Sequence, residues 1–348
     1  MFVLQISNTR NTLQQSPIKY VFDHLGKFRY TFNTRDFASC FETNLSIQAW
    51  KKCKGKSDLI LSDWQDPLEH LSGDDPQVVE ILKTQYLDPP SDLPYNLSTL
   101  NESQGSHMFT WPWIRSRLDL LFGGEPKGFF IEAGALDGQY LSNTLWLERK
   151  RNWTGLLIEP DRNSYGALRQ KHRRAWSSNT CLTADNYPKK ATFVSVTPKF
   201  EASISAWAFR GHSHEFKKDV KQTGITKYED MKNSTVQCFP LISYLKALNV
   251  SQIDFLSLDV QGSEANIILT ILKTKGINVR VIATEDESYK IDDNFADELF
   301  DNGYMVFDYK IDLIFVKQDD PLLKKKHVKQ FLRTRKIKNE ARFIYIED

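Results

Sequence analysis

The stretch that most restricts what this chain can become is GFFIEAGALDGQYLSNTLWLE, residues 128–148. Three apolar residues, Phe129, Phe130 and Ile131, run into Glu132-Ala133-Gly134-Ala135-Leu136-Asp137-Gly138, and a helix-like segment follows from Ser142. Apolar run, glycine turn and helix, in that order, describe a buried parallel strand that reverses into a helix. Two glycines four apart allow a tight turn and a close approach of backbone to ligand, and the helix start beyond them offers free N–H groups to a carboxylate or phosphate. A sheet needs such a turn whether or not anything binds there, so the stretch settles architecture first and leaves its use to the rest of the chain.

From residue 128 onward, apolar runs alternate with helical spacings. Strands are predicted at 129–132, 155–159, near 180–182, 253–259 and 279–285, and helices at 142–149, 164–171, 241–248, 265–273 and 294–301, the pattern of a parallel sheet covered by helices. The runs Tyr304-Met305-Val306-Phe307 and Asp312-Leu313-Ile314-Phe315-Val316 are too close for a crossover helix and predict an antiparallel hairpin. Upstream, Val78, Val79, Ile81, Leu82 and Leu87 keep helical spacing behind Pro76. The proline-rich stretch 89–106 predicts a linker or a strap across a domain surface, and a second helix is expected at 113–122, stopped by Gly123-Gly124. Residues 1–60 carry only short apolar runs such as Tyr20-Val21-Phe22. The division that follows is an N-terminal extension over 1–73, a helical and strap segment over 74–127, an α/β domain over 128–317 and a basic tail over 318–348.

With 348 residues and 41% apolar content, the chain can bury a sizeable core. Its 46 basic and 44 acidic residues give no overall bias toward nucleic acid. The local run Lys324-Lys325-Lys326-His327 with Arg333, Arg335, Lys336 and Lys338 has a solvated helix or tail as its ordinary reading. No segment approaches the ~18 continuous apolar residues of a membrane span, and residues 1–20 lack the basic-then-apolar layout of a signal peptide. Cys40, Cys53, Cys181 and Cys238 have no zinc-type spacing and are either free thiols or two disulfides. Asn-x-Ser/Thr triplets at Asn44, Asn96, Asn101, Asn152, Asn233 and Asn249 lean toward a lumenal protein.

In an open parallel sheet, ligands bind beyond the carboxyl ends of the strands. Four predicted strands deliver a carboxylate there: Glu132, Glu159, Asp259 and Glu285. Glu159 has two acceptor oxygens to hold both hydroxyls of a ribose, although an acid there would also suit a helix N-terminus. S-adenosyl-L-methionine has an adenosine and no pyrophosphate, so the turn Glu-x-Gly-x-x-x-Gly suits it better than a dinucleotide Gly-x-Gly-x-x-Gly turn, whose third glycine is absent. The cofactor-binding candidates are Glu132, Gly134, Asp137, Gly138, Ser142, Asn143, Glu159 and Asp259. Glu264 serves either the ligand or its own helix start. In the polar segment 201–235, His212 and His214 alternate sides on an extended chain, so no joint metal site is expected. His212 remains a loop base for an acceptor hydroxyl or a surface histidine, and the segment a candidate substrate lid.

The wording EAGALDGQYLSNTLWLER, GLLIEPD, IDFLSLDVQGSE and DNGY resembles the FkbM family of methyltransferases, and is similar to its animal branch that includes the insect protein Star. With DDPQVVEILKTQYLDPPSDLPYNL upstream, the likeness covers roughly residues 74–317. It implies a class I (Rossmann-like) methyltransferase fold: a seven-stranded, mostly parallel sheet with an antiparallel C-terminal hairpin and helices on both faces. It also implies S-adenosyl-L-methionine as cofactor and O-methyl transfer to a small-molecule or glycan-like hydroxyl acceptor. Glu132, Gly134, Asp137 and Gly138 match the family's cofactor loop, Glu159 its ribose acid, and Asp259, Gly262 and Glu264 its Asp-Val-Glu-Gly-x-Glu motif. Gln261 stands where the family usually has Glu, and an amide neither acts as a base nor carries charge, which puts acceptor activation in question. Asp259, Gln261 and His212 are the catalytic candidates. The Star-like branch implies another use, a non-catalytic role in endoplasmic reticulum-to-Golgi or endosomal trafficking of protein cargo, with a secretory-pathway location and an N-terminal anchor. The chain start taken literally predicts a cytoplasmic protein; a lumenal one would pair Cys181 with Cys238.

Overall fold

A computed structural model describes residues 18–22, 28–32, 67–98, 112–123, 125, 127–198, 210, 213–215, 229–260, 262–285, 293–309 and 312–334. The chain divides into two compact units, Met1–Gln65 and Asp66–Asp348. In the first, β1 (Ile18–Phe22) and β2 (Phe28–Phe32) form an antiparallel pair with Tyr20 opposite Tyr30.

The second unit opens with α1 (Pro76–Ile81), whose start is fixed twice: Asp75 accepts a hydrogen bond from the Gln77 N–H (2.8 Å) and Pro76 occupies the first turn. A π-helical turn, Leu82–Tyr86, continues it. Then follow α2 (Pro112–Phe122), β3 (Phe129–Ala133), α3 (Leu145–Arg151), β4 (Thr154–Ile158), α4 (Arg162–Gln170) and β5 (Trp176–Ser178). After an inserted sheet come α5 (Leu241–Leu248), β10 (Ile253–Leu258), α6 (Glu264–Lys273), β11 (Val279–Glu285), α7 (Asp293–Asp301), β12 (Tyr304–Tyr309), β13 (Asp312–Lys317) and α8 (Lys326–Thr334).

The main sheet has seven strands in the order β5-β4-β3-β10-β11-β13-β12. All neighbours up to β11 run parallel, while β13 is antiparallel to both β11 and β12. The expected α/β architecture, its terminal hairpin included, is thus present. Register explains why the central strands are apolar throughout. Phe130, Leu157 and Phe255 face α2, α3 and α8 on one side, among Ile114, Leu118, Leu147 and Val328. Ile131, Leu156 and Leu256 face α1, α5 and α6 on the other, among Val78, Leu245 and Ile268. Each such side chain, fully buried, contributes ~1.5–3 kcal/mol, and burial on both faces removes the polar alternation of a half-exposed sheet.

Two expectations change. The third strand of the main sheet is β5, Trp176–Ser178, earlier than residues 180–182 suggested; β6 (Cys181–Leu182) belongs to a second sheet. The segment expected to be a polar loop is partly strand as well. The second sheet, ordered β6-β9-β7-β8, contains a long antiparallel hairpin of β7 (Lys189–Pro198) and β9 (Glu229–Phe239), with β8 (His214–Glu215) on its edge. Cys181 lies opposite Cys238 in the β6–β9 pair with Cα atoms 4.3 Å apart, and a disulfide joins them. Residues 88–98 run as a strap over α4 and β5, through Asp88 to Ser177, Ser91 to Arg173 and Asn96 to Lys171 backbone bonds. No helix among the described residues is long and apolar enough to cross a membrane.

Candidate functional site

Strand order reverses between β3 and β10, and this is where an open α/β sheet forms its crevice. The two strand ends meet here closely. Gly134 adopts φ 84°, its N–H donates to the Ile158 carbonyl (3.0 Å), and the Asp259 N–H donates to the Ala133 carbonyl (3.0 Å). A Cβ on residue 134 would lie 1.8 Å from the Asp259 carbonyl oxygen, so glycine is required by the fold itself.

A narrow cleft opens over this crossing. Its floor is Gly134, Leu136, Glu159, Pro160, Asp259 and Val260, just beyond the ends of the main-sheet strands; its far wall is Phe193 and Glu215 from the second sheet with Arg210 and Ser213 ahead of β8. The inserted sheet is therefore the roof of the site, and the Cys181–Cys238 disulfide sits at the junction, with Cys181 lining the cleft.

Glu159 follows β4 and is almost wholly buried. Its Oε2 accepts the Leu136 N–H (2.7 Å) and its Oε1 accepts the Asp161 N–H (2.7 Å). Burial pushes its pKa up to about 8; the two backbone donors oppose the shift, and the charges of Asp161 and Asp259 add to it. Each carboxylate oxygen keeps a second lone pair for a ligand hydroxyl.

The other acid of the glycine loop has a different part. Glu132 is buried, and its oxygens accept the Ser142 hydroxyl (2.8 Å), the Thr144 hydroxyl (2.6 Å) and the Asn143 N–H (2.7 Å). Burial raises its pKa, with nearby Arg173 and these donors acting against the rise. Asp137 closes the turn by accepting the N–H groups of Gln139 (2.9 Å) and Tyr140 (2.7 Å), and Gly138 turns at φ 74°. Asn143 donates from Nδ2 to the Ser257 hydroxyl (3.1 Å), while its buried Oδ1 has no hydrogen-bond partner among the described residues. Beneath them all lies Arg173, buried, paired with Glu148 (3.0 Å) and donating to the Gly138 carbonyl, the Ser142 hydroxyl (3.3 Å) and the Thr144 hydroxyl (3.1 Å).

The family profile described as methyltransferase FkbM domain matches residues 132–306, just over half of the chain. The chain belongs to the FkbM methyltransferase family. Comparisons with curated proteins and with solved structures give no match. The FkbM match begins at Glu132 and ends within β12, so it takes in the end of β3, the glycine loop, the roof sheet and β10.

Of the residues singled out in the sequence, this FkbM domain brings Gly134, Glu159 and Asp259 together on the cleft. Glu132, Asp137, Gly138, Ser142 and Asn143 form the loop behind it. Glu264 accepts the N–H groups of Val260 (2.8 Å) and Gly262 (2.7 Å), closing the loop between β10 and α6. Gln261 and His212 lie outside the described residues. Among the cleft contributors, Phe193 was not singled out in the sequence, while Arg210 and Glu215 lie in the segment read as a candidate substrate lid without having been named as site residues. Asp312 was also missed. It opens an antiparallel strand, which places it at the same edge as the ends of the parallel ones, opposite Glu285. Burial and then the charge of Asp259 push its pKa up to about 7.

Proposed function

We propose that this protein binds S-adenosyl-L-methionine in the cleft over the β3–β10 crossing and catalyses O-methylation of a hydroxyl acceptor. The observation that carries the reading is Glu159: a buried carboxylate at the tip of the strand beside the glycine turn, its oxygens held by two backbone N–H groups and still open to hydroxyl donors. The cofactor fits the donor set. An acidic floor without a pyrophosphate cradle suits an adenosine with a cationic sulfonium.

When bound, the cofactor supplies a methyl group on a positively charged sulfur. The chain's contribution is alignment: Glu159 holds the ribose hydroxyls, the backbone at Gly134 fixes the floor, and the roof residues Phe193 and Glu215 exclude water from one side. Asp259, which lines the cleft, would accept the proton that an acceptor hydroxyl gives up. Isothermal titration tests this. Binding heat is expected for the wild type, with affinity about tenfold to a hundredfold weaker in Glu159→Ala, the loss of hydrogen bonds to a charged acceptor; a wild type that gives no heat overturns the reading.

A second reading is favoured by two observations, Gln261 in place of the family's usual Glu and the Cys181–Cys238 disulfide, which belongs to oxidising compartments. In it, the Star-like chain carries cargo through the secretory pathway on a non-catalytic methyltransferase fold. Cargo export that survives Glu159→Ala but fails on deleting residues 128–317 supports it, and export that requires Glu159 counts against it.

A further inference from the structure

We infer that Asn152, Asn233 and Asn249 are N-glycosylation sites, and that this chain matures as a disulfide-bonded glycoprotein whose glycans stand clear of the cleft. The sequence holds 18 asparagines and 47 serines and threonines in 348 residues, which by chance would give about two Asn-x-Ser/Thr triplets; there are six. Of the four in the described residues, all have an exposed asparagine.

The fold accounts for some of these residues and not for others. Asn152 and Asn249 are the left-handed caps of α3 and α5, at φ 53° and 54°, a conformation that asparagine tolerates on its own account. That explains the asparagine. It does not explain the hydroxyl two residues later. Thr154 and Ser251 are both exposed, and neither hydroxyl makes a hydrogen bond among the described residues; Thr235, two beyond Asn233, is the same. Three hydroxyls idle in the folded protein sit at the position that the triplet demands. Asn96 is less suited, since its side-chain amide donates to the Gln170 carbonyl (3.1 Å).

Placement is the second argument. Asn152 precedes β4 and Asn249 precedes β10, so both stand at the amino ends of parallel strands, the edge of the sheet away from the cleft. In β9, Asn233 is next to Ser234, the partner of the cleft residue Phe193, and alternation turns Asn233 to the opposite face. Glycans at all three positions leave the ligand path open. The Cys181–Cys238 disulfide, which needs the same oxidising compartment, is an independent sign.

In the step itself, the asparagine amide nitrogen attacks the anomeric carbon of an oligosaccharide carried on a polyprenyl diphosphate. A nitrogen–carbon bond forms, the bond from that carbon to the diphosphate oxygen breaks, the lipid diphosphate leaves, and the amide gives one proton to a base of the transferase. The test takes the protein from its own cells, treats it with peptide-N-glycosidase in heavy-oxygen water and maps the peptides without reduction. Heavy-oxygen aspartate at positions 152, 233 and 249, with residues 181 and 238 cross-linked, is the expected result. Unlabelled asparagine at any of the three positions overturns the inference for that site, and unlabelled asparagine at all three, or free thiols at 181 and 238, overturns it whole, whatever the cofactor titration gives.

Discussion

At the scale of single residues, the two glutamates of the site show why strand-end acids are not equivalent. Both end up buried, yet Glu132 is surrounded by side-chain donors of its own loop, whereas Glu159 faces the cleft with only two backbone partners. Position in the sequence could place each acid at a strand end; which one the loop consumes depends on where Ser142 and Thr144 come to rest. Ionisation follows. Glu159 holds its proton up to about pH 8 in the folded chain, against 4.5 as its ordinary value. Between those values the folded state keeps a proton that the unfolded chain has lost, so this group's contribution to stability falls as pH rises from about 4.5 to about 8 and is level beyond. Ribose hydroxyls donate to the carboxylate form, so affinity for S-adenosyl-L-methionine should move the other way, tightening as pH rises toward 8. Titrations at pH 6, 7 and 8 check it: a dissociation constant that falls by up to about tenfold per unit is expected, and a flat profile rejects Glu159 as the ribose acid. A second residue-scale prediction concerns Arg173. Its partner Glu148 is equally buried and also accepts the Arg174 N–H (2.7 Å). Glu148→Ala leaves a buried guanidinium uncompensated and should cost about 3–5 kcal/mol in urea unfolding, far more than the typical exposed ion pair.

At the scale of elements, legibility tracked burial. The strands β3, β4, β10 and β11 were readable because both faces are covered, and the helix α5 because its apolar positions repeat at helical spacing between Pro240 and Asn249. The hairpin of β7 and β9 was not readable. Lys232, Asn233, Ser234 and Thr235 are exposed while Val236 to Phe239 are buried, so much of β9 has the composition of a loop. β7 did carry a signal in Thr192, Phe193, Val194 and Val196 between two prolines, a β-branched and aromatic run of strand type. Because this insertion roofs the cleft, its anchoring matters for binding. The Cys181–Cys238 bridge closes a loop of 57 residues, for which chain entropy allows about 4 kcal/mol and typical measured losses are about 2–4 kcal/mol. Cys181→Ser with Cys238→Ser should lower the unfolding free energy by that amount and weaken cofactor binding more than Glu148→Ala does, since the latter leaves the roof in place; urea unfolding with paired titrations decides it. The floor is less forgiving. Gly134→Ala forces a methyl into the Asp259 carbonyl and a side chain into a left-handed backbone, for an expected loss of about 3 kcal/mol or more.

At the scale of the whole second unit, the terminal elements complete the core that the sheet leaves open. Charge alone makes residues 322–338 look like a solvated run, and Lys326, Lys329 and Arg333 are indeed exposed. The same helix turns Val328 fully inward, with Phe331 and Leu332 half-buried beside it, and Leu322 just before it is fully buried. Phe331 stacks on Phe307 of β12 at 5.3 Å, Lys325 donates to the Leu121 carbonyl at the end of α2 (2.8 Å), and Arg280 of β11 pairs with Asp320, Glu125 and Asp254. Removing residues 321–348 therefore uncovers one face of the sheet. Two fully buried side chains at ~1.5–3 kcal/mol each, with the half-buried ring and leucine in addition, come to about 5 kcal/mol, against a total domain stability of roughly 5–15 kcal/mol. The truncated protein should be largely unfolded or insoluble at 37 °C, whereas Lys326→Glu, Lys329→Glu and Arg333→Glu, on the outer face, should each stay within about 0.5 kcal/mol of the wild type. Circular dichroism melts of the four proteins distinguish a structural helix from an appended basic tail: a truncation that melts with the wild type, or a charge reversal that unfolds the chain, would show that the apolar seam of α8 is not what holds this face closed.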